Sequence, residues 1–186
     1  PVVVQPESTI SAEEHLIWNV QSWGKKAPNE VVPPVAKFKW LEPRHMTNTE
    51  NRWGRDRTND FHYIFFNGTG YNSWENIWGL FNQFTPRDAA ALKRIAHLYR
   101  KFPAHVTSAD WEPYARTEQH NVFASMFPLA ASTLWTVVNR NDYALAGDQL
   151  SVAHRDGRAY YDVWNGGPLI PRVRDGRAAL ALPLEP

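Results

Sequence analysis

The 186-residue chain has no cysteine. That excludes disulfides, thiolate metal sites and a cysteine nucleophile, and it leaves the compartment open. It also lacks a strong charge of either sign. Lys and Arg number 20 against 19 Asp and Glu, and the formal net charge of +1 implies no polyanionic partner. The nearest approach to a basic stripe is Arg52, Arg55 and Arg57, which interleave with Glu50, Asp56 and Asp60, so no nucleic-acid partner is expected. No apolar run reaches the ~18 residues of a membrane-spanning helix, and no membrane partner is expected. His15, His62, His97 and His105 show no metal-ligand spacing, and no metal or organic cofactor is implied. What the chain does have is tryptophan, nine of them. An indole can support the C–H face of a sugar, but it also fills ordinary cores, so abundance alone decides little.

The chain divides by pattern. Residues 1–105 mix helix and strand signals, 106–120 have weak periodicity and read as a linker, and 121–186 read as strands and tight turns. The clearest helix begins at Thr85-Pro86-Arg87-Asp88, with Thr85 as N-cap and Pro86 in the first turn. Leu92, Ile95, Ala96, Tyr99 and Phe102 then share one face, Arg100 and Lys101 suit its negative end, and Pro103 stops it. A second helix is expected from about Asn48 to Phe65, with Asn67-Gly68 as its stop. Asn67-Gly68-Thr69 also matches a glycosylation sequon, although the helix stop explains it better. Val35 to Leu41 alternates and predicts a strand, Gly70 to Leu80 another, and His15 to Trp23 is ambiguous. Strand, helix, strand, helix predicts parallel βα units.

In the last third, Asp156-Gly157 and Asp175-Gly176 sit between alternating runs and predict two hairpins. Val122–Phe127 and Thr133–Asn139 add two strands. The expected fold class is therefore α/β plus all-β, the second part an antiparallel sheet or sandwich.

Two carboxylates stand out. Glu42 follows the predicted strand 35–41, and Glu75 sits in Asn72-Ser73-Trp74-Glu75-Asn76. Carboxyl ends of parallel strands are where active sites form. Paired carboxylates there fit glycoside hydrolysis, one donating a proton and the other acting as nucleophile or base. That reading expects them ~5–5.5 Å apart for retention or ~6.5–9.5 Å for inversion. Trp40, Trp74 and Trp78 would be stacking platforms, and Arg44, His45, Tyr71 and Asn72 would contact hydroxyls. The plainer alternatives are that each Glu is an ion-pair partner or cap, and that Arg44 and His45 cap the coming helix or pair with Glu50. Arg52, Asp56, Arg57 and Asp60 have the spacing of an ion-pair network on one helix face.

These motifs resemble a family. Glu42-Pro43-Arg44-His45, Arg52-Trp53, Asp56-Arg57 and Phe65 to Gly79 look like the end of a bacterial glycoside-hydrolase-like (β/α)8 barrel. Leu134 to Arg140 and Tyr161 to Gly166 resemble the small all-β domain appended to it. Relatives are sometimes fused to a formylglycine-generating-enzyme-like module, whose chemistry depends on cysteines that this chain lacks. The resemblance implies an oligo- or polysaccharide substrate, with Glu75 and Glu42 as the catalytic pair. A whole barrel takes ~250 residues, so residues 1–105 are expected to supply only its last βα units, the preceding ones belonging to a longer parent. Two rivals remain: a carbohydrate-binding protein without catalysis, and a structural fragment with no activity of its own.

Overall fold

A computed structural model describes residues 16–23, 29–51, 56–72 and 84–186. Three short strands that run the same way organise the first part. They are β1 (Gln21–Trp23), β2 (Met46–Glu50) and β3 (Gly70–Asn72), in spatial order β1-β2-β3 with both pairings parallel. Helix α1 (Lys37–Leu41) lies in the first connection and α2 (Thr58–Asn67) in the second, and α3 (Pro86–Lys101) follows β3. The expected βα alternation is present, but its boundaries move. The stretch 35–41 is helical, with Trp40 N–H donating to Ala36 C=O and Glu42 N–H to Phe38 C=O. Seven residues are too few for alternation to separate the two periods.

The predicted helix 48–65 also divides. Its beginning is β2, whose Thr47, Asn48 and Thr49 are all buried, and the helix proper starts ten residues later at Thr58. A strand buried through polar side chains leaves no apolar signature to read. The predicted stop holds: Gly68 takes a left-handed φ of 63°, and its N–H caps Ile64 C=O. Asn67 is fully buried, its amide bonded to Pro34 C=O, Tyr63 C=O and Ala36 N–H, so the sequon asparagine is a tie between segments. Gly70 is required for a different reason. It lies opposite Asn48, and a Cβ there would come 2.0 Å from Asn48 Oδ1.

Helix α3 forms as its sequence predicts, with Thr85 Oγ1 accepting from Asp88 N–H at 3.1 Å. Ile95 packs on Phe61 and Ile64 of α2, and Tyr99 Oη donates to Ile64 C=O at 2.7 Å.

The stretch expected as a linker is folded. It follows directly on α4 (Pro103–Val106) and contains β4 (Glu112–Ala115), and Trp111 is buried with its ring stacked on Phe127. Strand β4 pairs antiparallel with β5 (Val122–Pro128), which pairs with β6 (Thr133–Asn139). A second sheet has the order β10-β11-β7, from β7 (Asp148–Ala153), β10 (Arg172–Arg174) and β11 (Arg177–Ala181). Strands β8 (Tyr160–Asp162) and β9 (Gly167–Leu169) form a separate pair. Ala124 of β5, Leu150 of β7, Tyr160 of β8 and Ala178 and Leu180 of β11 meet in one apolar cluster. The Asp175-Gly176 hairpin is present as β10–β11. Asp156-Gly157 is a turn but joins no hairpin, because β7 pairs with β11 and β8 with β9. A dipeptide fixes local reversal, whereas the partner strand is chosen by burial of Leu150 and Val152 against β11.

Candidate functional site at the carboxyl end of the parallel sheet

Parallel strands bring all their carboxyl ends to one edge. Here those ends are Trp23, Glu50 and Asn72. Glu50 closes the central strand and is the direct neighbour of Asn72, as Asn48 is of Gly70. Side chains alternate along a strand, so Asn48, Glu50 and Asn72 share one face, while Thr49 and Tyr71 share the other. Tyr71 touches Phe61 of α2 edge-on, which marks its face as the helix-covered one. The face away from α2 therefore presents two amides and a carboxylate. Strands of a parallel sheet are ordinarily apolar on both faces, so this composition is a departure that sheet stability does not explain.

Around this edge is a rigid polar frame. Asn51 Nδ2 donates to Asp60 Oδ2 at 2.7 Å, both residues buried. Arg57, fully buried at the start of α2, donates through its guanidinium to Asn51 C=O and Tyr71 Oη. Its backbone N–H donates to Asp88 Oδ2 at 3.0 Å, which ties α2 to the first turn of α3. The guanidinium lies 4.8 Å from the Phe84 ring. Arg57 and Asp60 are buried and hold the interior together rather than forming a solvated face, Asp56 pairs with Arg87 in the open, and Arg52 lies outside the described residues. Within this frame Glu50 Oε2 is buried and has no hydrogen-bond partner among the described residues. A carboxylate oxygen left so is costly, and native proteins keep such atoms chiefly where they have work to do.

No protein-family model matches the chain, and no curated protein matches it.

The residues expected to form one site lie at two ends of the sheet. Glu42 precedes β2 and so sits at the amino end of the parallel strands, because the segment before it is a helix and not a strand. Its half-exposed carboxylate accepts from Arg44 N–H at 3.2 Å and Arg44 Nε at 3.3 Å, and these bonds hold its pKa below the usual carboxylate range. His45 is buried beside it, its ring nitrogens 3.1 Å from Asn19 C=O and 3.0 Å from Ser22 Oγ. Burial lowers its pKa, and its partners join the amino ends of β1 and β2. Arg44 and His45 therefore neither cap α2 nor pair with Glu50. Trp40 is exposed on α1 and meets Trp111 edge-on at 6.0 Å.

Tyr71 and Asn72 do reach the carboxyl end. Trp74, Glu75 and Trp78 lie outside the described residues, and with them the Glu42–Glu75 separation. Glu50, Asn48, Asn51 and Arg57 are the functional candidates the sequence pattern hid. The signal for them is Met46-Thr47-Asn48-Thr49-Glu50, a run with β-branched residues at alternate positions. Among the described residues no group of three His, Asp or Glu is placed to hold a metal.

Proposed function

We propose that the chain is part of a carbohydrate-active hydrolase that cleaves glycosidic bonds, its three parallel βα units being the last of a (β/α)8-type barrel followed by an antiparallel β domain. The observation that carries this reading is Glu50: a carboxylate at the carboxyl end of the central parallel strand, one oxygen buried without a partner among the described residues, on a face shared with Asn48 and Asn72. Glu50 takes the place of Glu42 in the pair, as nucleophile or water-activating base. Glu75, in the segment that follows β3, is its proton-donating partner. Asn48 and Asn72 hold sugar hydroxyls, and Trp74 and Trp78 supply the apolar platforms.

The test is reducing-end release from a panel of polysaccharides by the full chain in its natural parent. Glu50→Gln keeps the shape and removes the negative charge. It should lower turnover by on the order of 10²–10⁴-fold with glycan binding retained, while Glu42→Gln leaves turnover within about twofold. Unchanged turnover in Glu50→Gln overturns the assignment. A second reading, glycan binding without hydrolysis, is favoured by the two amides that stand beside a single carboxylate. It predicts glycan retention by the wild type with no new reducing ends.

A further inference from the structure

A cleft of about 470 Å³ lies between the outer side of α3 and the turn that joins β8 to β9, away from the strand ends. Its lining carries three formal cations, Lys93, Arg94 and Arg100, with His97 between them. On a helix, positions three and four apart are neighbours, so these four form a continuous row, ~10 Å long at ~1.5 Å per residue. The one acidic residue of α3, Asp88, lies in the first turn and bonds Arg57 and Arg87. Among the described residues none of Lys93, Arg94, His97 and Arg100 forms an ion pair with a carboxylate.

Asp162, which adjoins the lining residue Val163, is engaged within its own turn. Asp162 Oδ1 accepts from Trp164 N–H at 3.0 Å and Asn165 N–H at 3.1 Å, and its Oδ2 accepts from Asn165 Nδ2 at 2.8 Å. It shapes the turn that places Trp164. The Trp164 indole packs on Phe65 at 5.2 Å and carries the Arg94 guanidinium over its ring at 5.4 Å. Arg94 is thereby held over the Trp164 ring where both line the cleft.

We propose that this cleft binds an acidic polysaccharide, a uronate-type chain whose carboxylates are spaced along the Lys93–Arg100 row. A row of cations suits a linear polymer better than a single small anion. The single indole is taken up by Phe65 and Arg94, which removes the free stacking platform that single-stranded nucleic acid uses. The preference for a glycan over other polyanions rests on the carbohydrate reading above, whereas the anion binding itself does not. The near-zero net charge conceals the row, because charge elsewhere in the chain cancels it.

The experiment is affinity electrophoresis of the full chain, in a preparation that shows a cooperative thermal transition, through gels containing polygalacturonate. Retardation should occur, fall as salt rises, and weaken at least tenfold in Lys93→Gln/Arg94→Gln. The control Arg155→Gln/Arg158→Gln removes two exposed charges from elsewhere and should migrate as the wild type does. Three results overturn the proposal: no retardation, equal weakening by the control pair, or equal retardation by single-stranded DNA. The readout is retention and needs no turnover, so retention here beside no hydrolysis by the natural parent rejects the hydrolase reading and leaves the cleft standing.

Discussion

The two parts of the molecule bury different chemistry. Among the described residues the buried lysine, arginine and aspartate side chains, Lys39, Arg57, Asp60 and Asp88, all lie between residues 39 and 88, in the part built on parallel strands. From β4 onward the buried polar residues are Ser125, Thr136, Asn139 and Gln149, none of them charged, around an apolar cluster of Ala124, Leu150, Tyr160, Ala178 and Leu180. Buried charge is costly unless paired, so the first part gives up stability that the second retains. A stretch that tolerates this cost is where a site is expected, while the antiparallel part has the composition of a support.

The contrast breaks most sharply at Lys39. Its ammonium donates to Asn67 C=O at 2.6 Å, Gly68 C=O at 2.9 Å and Val106 C=O at 2.7 Å, between the rings of Trp111 and Phe127 at 4.8 and 5.0 Å. One side chain thus ties α1 and the end of α2 to α4 and the first antiparallel sheet. Lys39→Met fills similar volume but strands three carbonyls. It should cost about 3–5 kcal/mol in urea unfolding. A loss under about 1 kcal/mol would show that the charged interior of the first part is dispensable.

The next effect lies where the two parts meet. Arg140, at the end of β6, donates to Glu30 C=O, Val31 C=O, Asn59 Oδ1 and His62 Nδ1. The bond to His62 requires a neutral imidazole with its lone pair on Nδ1. Burial, with Arg140 alongside, holds His62 down to about 4, against about 6.5 in an unfolded chain. The folded pKa lies below the unfolded one, so between these values the unfolded chain binds the extra proton. Stability is therefore full above about pH 6.5, falls on acidification, and levels off below about pH 4, a total of about 3 kcal/mol. His62→Gln keeps an acceptor for Arg140 and should remove most of that slope in paired urea titrations. Parallel slopes in the two proteins would place the acid sensitivity elsewhere.

The same contrast explains what was legible in the sequence. Helix α3 was plain because its cap, proline and apolar stripe agree, and β5, β6 and the β10–β11 hairpin were plain because alternation and turn residues agree. Strand β2 was not, because Thr47, Asn48 and Thr49 are buried without being apolar, and burial is the only thing hydrophobic periodicity reports. Reading 35–41 as the strand and β2 as helix put Glu42 at a strand's carboxyl end, a place that Glu50 occupies in the fold. Strand β3 was legible because the Asn67-Gly68 stop and Gly70 mark its start. The α4–β4 stretch was missed because Trp111 and Val106, its buried anchors, are too few to give a period.

The smallest effect is the most diagnostic, because its sign is opposite to the other two. If the first part gives up stability for a site, relieving the site should return some. Glu50→Gln removes the charge from an oxygen that is buried and without a hydrogen-bond partner among the described residues, at nearly constant shape. It should raise stability by about 1 kcal/mol, the order of an unmet buried polar group, with the midpoint read by thermal unfolding at pH 7. Thr136→Val, on an equally buried orphan hydroxyl in β6, is the matched control from the supporting part. It too should gain or hold, without any effect on turnover. A gain at Glu50 together with lost hydrolysis, beside a gain at Thr136 without it, separates an atom left unpaired for substrate from one left unpaired by packing. A loss of stability in Glu50→Gln means that the carboxylate braces the strand end, and the assignment of Glu50 to the site then fails on structural grounds alone.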